Sequence, residues 1–138
     1  MESSRQYQEQ LQIFRILREQ QEMFQGQLEI LNVSRSNIVN TKNTLESLKE
    51  GVNVDDEILV PVGGLANIRA TIKDPEKVLL AITQDVVVEK DLDGAIEILD
   101  KRIEEHDKQI QFVRTQLQNI EMNLQKTSQL LQTGIGQQ

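Results

Sequence analysis

The 138-residue chain has no cysteine, no tryptophan, one histidine, one tyrosine and two prolines. Without cysteine there is no disulfide framework, no thiolate metal site and no cysteine nucleophile, which fits a reducing compartment. A lone histidine, His106, cannot build a metal site without further ligands, nor complete a Ser-His-Asp set. Only 38% of the residues are apolar and 3% aromatic. A compact globule of this length would carry more large core side chains, so an extended helical shape is favoured. No apolar run approaches the ~20 residues of a membrane span. The first residues, Met1 to Gln6, lack a signal-peptide core. A cytoplasmic chain with no membrane partner is therefore expected. The formal net charge of -7 speaks against nucleic acid or an anionic membrane surface as the main partner.

What the chain does have is a seven-residue repeat. Ile96, Ile103, Ile110, Leu117, Leu124 and Leu131 recur at that spacing. Leu99, His106, Val113, Ile120 and Thr127 follow three residues behind each. This pattern is a coiled-coil helix with one narrow apolar stripe, which needs a partner helix. A matching arm lies upstream. Leu17, Phe24, Leu31, Ile38, Leu45 and Val52 recur every seven residues, beside Tyr7, Phe14, Gln21, Leu28, Arg35 and Lys42. The simplest arrangement folds the two arms back as an antiparallel hairpin, each arm a rod of roughly 65 Å at ~1.5 Å per residue. Gln21, Arg35 and Lys42 weaken the seam and set its register. Ile13, Ile16, Met23 and Ile30 lie off the seam, so the apolar face there is wider than one partner covers.

Between the arms the period changes from seven to two. Gly51-Val52-Asn53-Val54-Asp55-Asp56 breaks the helix. Four strand-like runs follow, at 58–62, 65–72, 78–82 and 86–89. Ala66, Ile68, Ala70 and Ile72 alternate with polar residues, whereas the other three runs are apolar on both faces. Gly63-Gly64 reads as a tight hairpin turn, Asp74-Pro75 as the start of a type I turn, and Thr83-Gln84-Asp85 as the second hairpin turn. So small a sheet with two apolar faces is not stable alone and must close against other subunits. Asp91 or Asp93 caps the second arm. The expected fold is α+β, mainly α: a long antiparallel coiled-coil hairpin whose helices are joined by two β-hairpins. Its parts are 1–50, 51–91 and 92–138.

No reaction is visible. His106 occupies a seam position, Gly63-Gly64 lacks the spacing and lysine of a phosphate-binding loop, and the carboxylates sit on solvent-facing helix positions. A non-enzyme without cofactor or metal is expected.

The order helix, two hairpins, helix in about 140 residues resembles the prefoldin α-type subunit. The likeness is carried by Ile58-Leu59-Val60-Pro61-Val62-Gly63, by Val86-Val87-Val88-Glu89-Lys90, and by Asp93-Gly94-Ala95-Ile96 with Lys101 to Asp107. The chain departs from the family's Gly-rich loops at Gly63 to Asn67 and at Thr83-Gln84-Asp85. The resemblance implies a hexamer of two α and four β subunits. The hairpins would form a β-barrel body with coiled coils hanging from it. Such a particle captures non-native proteins at the coiled-coil tips without ATP and passes them to a group II chaperonin.

On that basis Tyr7, Leu11, Ile13, Phe14, Ile16 and Leu17, with Leu124, Leu130, Leu131 and Ile135, are the expected client-binding residues. Ile58, Val60, Val62, Ile68, Ile72, Leu80, Ile82, Val86 and Val88 are the expected oligomerisation residues of the β-body. The rival class is a structural coiled-coil assembly protein, a homo-oligomer or filament without client transfer.

Overall fold

A computed structural model describes residues 2–133. The element order is α1 (Glu2–Gly51), β1 (Glu57–Pro61), β2 (Asn67–Thr71), β3 (Lys77–Ala81), β4 (Val87–Asp91) and α2 (Leu92–Thr133). No proline falls in either helix, and charge suits the dipole of α1, with Glu2 in its first turn and Lys49 in its last. Packing divides the chain into two units, residues 1–35 with 105–138, and residues 36–104.

In the first unit the seam is as the heptads require. Ile110, Val113, Ile120, Leu124 and Thr127 of α2 are buried. Phe14, Leu17, Phe24, Leu28 and Leu31 of α1 are half-buried. Gln21 Nε2 donates to Glu121 Oε2 at 3.1 Å, and Arg35 Nε lies 2.6 Å from Asp107 Oδ1. His106 Nε2 and the Ser34 hydroxyl are 2.9 Å apart and share a hydrogen bond, so the histidine is a satisfied seam residue.

The second unit holds a helix–sheet core. Leu45 of α1, Leu80 of β3 and Leu92, Ala95 and Leu99 of α2 are its buried residues, flanked by Ile38, Leu48, Val78, Ile82, Val88, Ile96 and Ile98. Ala95 is fully buried; its small side chain lets neighbouring elements approach closely. Arg102 reaches across to donate to the Ile82 carbonyl at 3.0 Å. In this unit Lys42 Nζ lies 2.6 Å from Asp100 Oδ1, and Lys49 Nζ lies 2.6 Å from Asp93 Oδ1. Arg35, Lys42 and Lys49 thus step forward by seven along α1 while Asp107, Asp100 and Asp93 step back by seven along α2. Three hydroxyls that compete with the helix are satisfied inside it: Thr41, Thr44 and Ser47 donate to the carbonyls of Asn37, Asn40 and Asn43.

The strands form two separate antiparallel pairs, β1 with β2 and β3 with β4. Val60 faces Ile68 across the first, and Leu80 faces Val88 across the second. The β3–β4 pair supplies every sheet residue of the core, whereas β1–β2 supplies none. Each pair turns through three residues: Val62 N–H donates to the Ala66 carbonyl, and Ile82 N–H to the Val86 carbonyl. Gly63 has φ 136° in the first turn, a conformation that favours glycine. Thr83 Oγ1 accepts from Asp85 and Val86 N–H in the second. The chain turns at the expected Asp74-Pro75, where the Asp74 carboxylate accepts from Glu76 N–H at 3.0 Å.

One connection is made precise by the structure and another differs from the sequence expectation. Within the break expected from Gly51 to Asp56, the chain turns at Asp55, which has φ 70°, after Gly51 as the last helical residue. Asp55 tolerates that conformation better than most side chains, and the loop is closed by Asn53 N–H donating to Asp56 Oδ2 and by Asp55 N–H donating to the Ile72 carbonyl. The last strand is also longer, and runs straight into α2. Asp91 pairs with Lys77 as the final strand residue, and its Oδ1 accepts from Gly94 N–H at 2.8 Å. An N-cap residue has strand-like dihedrals, so one residue fills both roles.

A Cβ on Gly94 would lie 2.5 Å from Asp91 Oδ1. Asp91→Ala is expected to cost about 1 kcal/mol, and Asp91→Asn little, through the cap. Gly94→Ala should be near neutral alone, because it displaces the cap while raising helix propensity. In the Asp91→Ala background it should stabilise by up to about 1 kcal/mol. Urea denaturation followed by circular dichroism reads this non-additivity; simple additivity would refute the shared cap.

The Lys42–Asp100 and Lys49–Asp93 pairs have their own pH signature. The hydrogen bond to Asp100 holds the Lys42 pKa above its ordinary 10.5, and the hydrogen bond to Asp93 does the same for Lys49. A raised folded pKa contributes stability that is complete below the unfolded value and is lost as pH rises through the folded one. The melting temperature is therefore expected to fall on strongly alkaline titration, above about 10.5. That fall should be smaller in Lys42→Met/Lys49→Met; an unchanged fall would show that the pairs carry no linkage.

Candidate functional site

The surface that no element of its own unit covers is apolar in two places. In the first unit, Ile13, Ile16, Met23, Ile30 and Val33 of α1 and Phe112, Met122 and Leu130 of α2 are exposed. In the second, Val54, Leu59, Val62, Leu65, Ile68, Leu79, Val86 and Val87 are exposed.

The expected client-binding residues fall into four groups. Ile13, Ile16 and Leu130 are exposed. Tyr7, Leu11, Phe14, Leu17 and Leu131 are half-buried along the seam. Leu124 is only 6% exposed, because its heptad position points it into the helix pair; it belongs to the seam and not to the accessible surface. Ile135 lies outside the described residues. Beside the seam, Phe14, Arg18, Gln21, Gln125 and Ser128 line an open groove of about 380 Å³.

The expected oligomerisation residues divide in the same way. Val62, Ile68 and Val86 are exposed, and Ile58, Val60, Ile72, Ile82 and Val88 are half-buried. Leu80 is buried in the core of its own chain, so within this chain its work is intramolecular. Pairing puts Leu59 and Leu79 on the faces opposite Val60 and Leu80. These two, with Val87, lie outside the set expected from the sequence. The signal for them existed, since their runs are apolar at consecutive positions. Met23, Ile30 and Val33 lie outside the expected client-binding set, although Met23 and Ile30 continue the row begun by Ile16.

Charge is unevenly spread. Residues 36–104 carry eight Lys or Arg against fourteen Asp or Glu, and the remaining residues carry seven against eight. Among the described residues no group of three or more His, Cys, Asp or Glu is placed to hold a metal ion. No helix among them is long and apolar enough to cross a membrane.

Residues 17–137 match the family of prefoldin subunits. The chain belongs to the prefoldin family. It is of the alpha type, since the related proteins below carry that name and its two hairpins fit it. The prefoldin subunit alpha of Methanoregula boonei is 40% identical over 84 residues, 61% of this chain and 54% of that protein. The prefoldin subunit alpha of Pyrococcus horikoshii is 30% identical over 89 residues, 64% of this chain and 60% of that one. The chain thus spans little more than half the length of these prefoldin relatives. A filamentous prefoldin from Methanocaldococcus jannaschii, solved by cryo-electron microscopy, has the same fold, with a TM-score of 0.71 at 18% identity over 83% of this chain and 94% of that one.

Surface and seam residues should separate on mutation. Ile13→Ser/Ile16→Ser removes exposed side chains and is expected to change unfolding stability by under about 0.5 kcal/mol per site. Leu124→Ala removes a buried one and should cost about 2–4 kcal/mol. Chemical denaturation checks both, and a large loss in the Ile13/Ile16 variant would mean that these side chains are packed.

Proposed function

We propose that this prefoldin alpha-type chain is a subunit of an ATP-independent chaperone that captures non-native proteins. The observation that carries the reading is the exposed apolar surface of residues 13–33 and 112–130, on a helix pair of nearly balanced charge. Non-native proteins share exposed apolar segments and little else. A surface that binds them must offer apolar area without a strong field of either sign. Ile13, Ile16 and Leu130, flanked by the half-buried Tyr7, Leu11, Phe14, Leu17 and Leu131, form the capture surface. Captured clients pass to a group II chaperonin.

The β segment serves assembly. Each strand pair leaves its outer edges without a partner in its own sheet, and two-stranded sheets with exposed apolar side chains are completed by further strands. Ile58, Val60, Val62, Ile68, Ile72, Ile82, Val86 and Val88 join Leu59, Leu79 and Val87 in that interface. Two alpha subunits combine with four beta-type subunits in a cytoplasmic hexamer. A second reading, a homo-oligomer or filament, is favoured by the filamentous relative of the same fold.

Sizing of the chain alone and with a beta-type subunit separates the two: a mixed hexamer supports the first, an open polymer the second. Ile13→Ser/Ile16→Ser/Leu130→Ser should lose most suppression of the aggregation of a chemically denatured client while keeping the wild-type size. Full suppression by that variant would place capture elsewhere.

A further inference from the structure

We infer that the outward ridge of α1 from Ile13 to Val33 docks an amphipathic α-helical segment of a non-native client, not an extended one. The inference rests on the capture reading above and names the class of segment taken. Ile13, Ile16, Met23, Ile30 and Val33 are between 43% and 71% exposed, and they are the only exposed large apolar side chains of α1 among the described residues. They lie off the seam, on a side of the helix that α2 does not cover. Ile16, Met23 and Ile30 are seven apart, so the ridge repeats about every 10.5 Å along the axis. An extended segment presents same-face side chains about every 6.7 Å, out of step with that ridge. An α-helix with apolar residues at heptad spacing presents them at the same ~10.5 Å and winds around α1 in step. A helical surface also has no unpaired backbone groups, so it cannot hold a strand by main-chain hydrogen bonds.

Gly26 adds a second, independent observation. It sits three residues after Met23 and four before Ile30, in the middle of a 50-residue helix, where glycine lowers helix stability relative to alanine. A Cβ there would meet nothing within 4 Å, so nothing in its own chain requires the glycine. On the ridge it forms a notch where a neighbouring helix can approach closely. The positions three and four residues from Ile16, Met23 and Ile30 carry one charge, Glu19. The occupant is therefore defined by its apolar spacing and not by its charge.

The test uses the full-length chain and two fluorescent 21-residue peptides of equal apolar content. One is a heptad amphipathic helix, and the other carries two central prolines that forbid the helix. Anisotropy is expected to show the helical peptide bound at least tenfold more tightly than the proline peptide. Met23→Gln/Ile30→Gln should weaken the helical peptide at least tenfold. Gly26→Leu should weaken it several-fold while raising the melting temperature. Equal binding of both peptides, or full binding by Met23→Gln/Ile30→Gln, would overturn the inference. So would a change in the size of the chain alone in that variant, which would make a second copy the occupant. If helix binding fails while aggregation of a denatured client is still suppressed, only this inference falls. If suppression is absent from the wild-type complex, the capture reading falls.

Discussion

The antiparallel register of the two helices is the constraint on which the rest depends. It is written in charge as much as in apolar spacing. Arg35, Lys42 and Lys49 occupy one seam class of α1, and each meets an aspartate of α2 at 2.6 Å. Exposed pairs of this kind add little stability. Their value lies in discrimination. Shifting one helix by a heptad would leave an end cation without its aspartate and carry apolar residues past polar ones. Buried leucines alone would tolerate such a slip, because one Leu layer packs much like the next. The core of the second unit needs the correct register too, since Leu45, Ala95 and Leu99 must present one continuous floor to Leu80.

The seam is also asymmetric. In the first unit the buried residues all come from α2, and α1 contributes half-buried ones. The reason is visible in composition. α2 concentrates its apolar residues in one stripe, whereas α1 between residues 13 and 33 spreads them over a wider arc. A helix that is apolar over a wide arc cannot hide all of it against one neighbour. The exposed ridge is thus the direct counterpart of a less complete seam, and both follow from the same residues.

Much of this was legible in the sequence. The heptads located both helices, and every seam residue named from spacing in the described chain is buried or half-buried. The change of period from seven to two located the strands to within about two residues. The site was legible only in part. Spacing identifies a residue as seam or off-seam, but nothing in one-dimensional pattern says how tightly a seam closes, so it does not reveal that Leu124, a seam position expected to bind clients, is buried. Leu80 was assigned to assembly because a doubly apolar strand does not reveal which face its own helices take. Within the break from Gly51 to Asp56, the turn falls at Asp55, whose N–H donates to the distant Ile72 carbonyl. Pairings of that range are invisible to local propensity.

The uneven spread of charge has a colloidal consequence. An apolar surface exposed to water attracts its own kind, so a chain built to present one is prone to self-association. Here the excess of acidic groups sits in residues 36–104, with a near balance in the rest. Like-charged particles repel one another over about a Debye length, ~10 Å at 0.1 M salt. The net negative charge of residues 36–104 therefore opposes indiscriminate association of copies although Leu59, Val62 and Leu79 are exposed there, whereas the apolar residues of 13–33 and 112–130 belong to sequence of near-balanced charge.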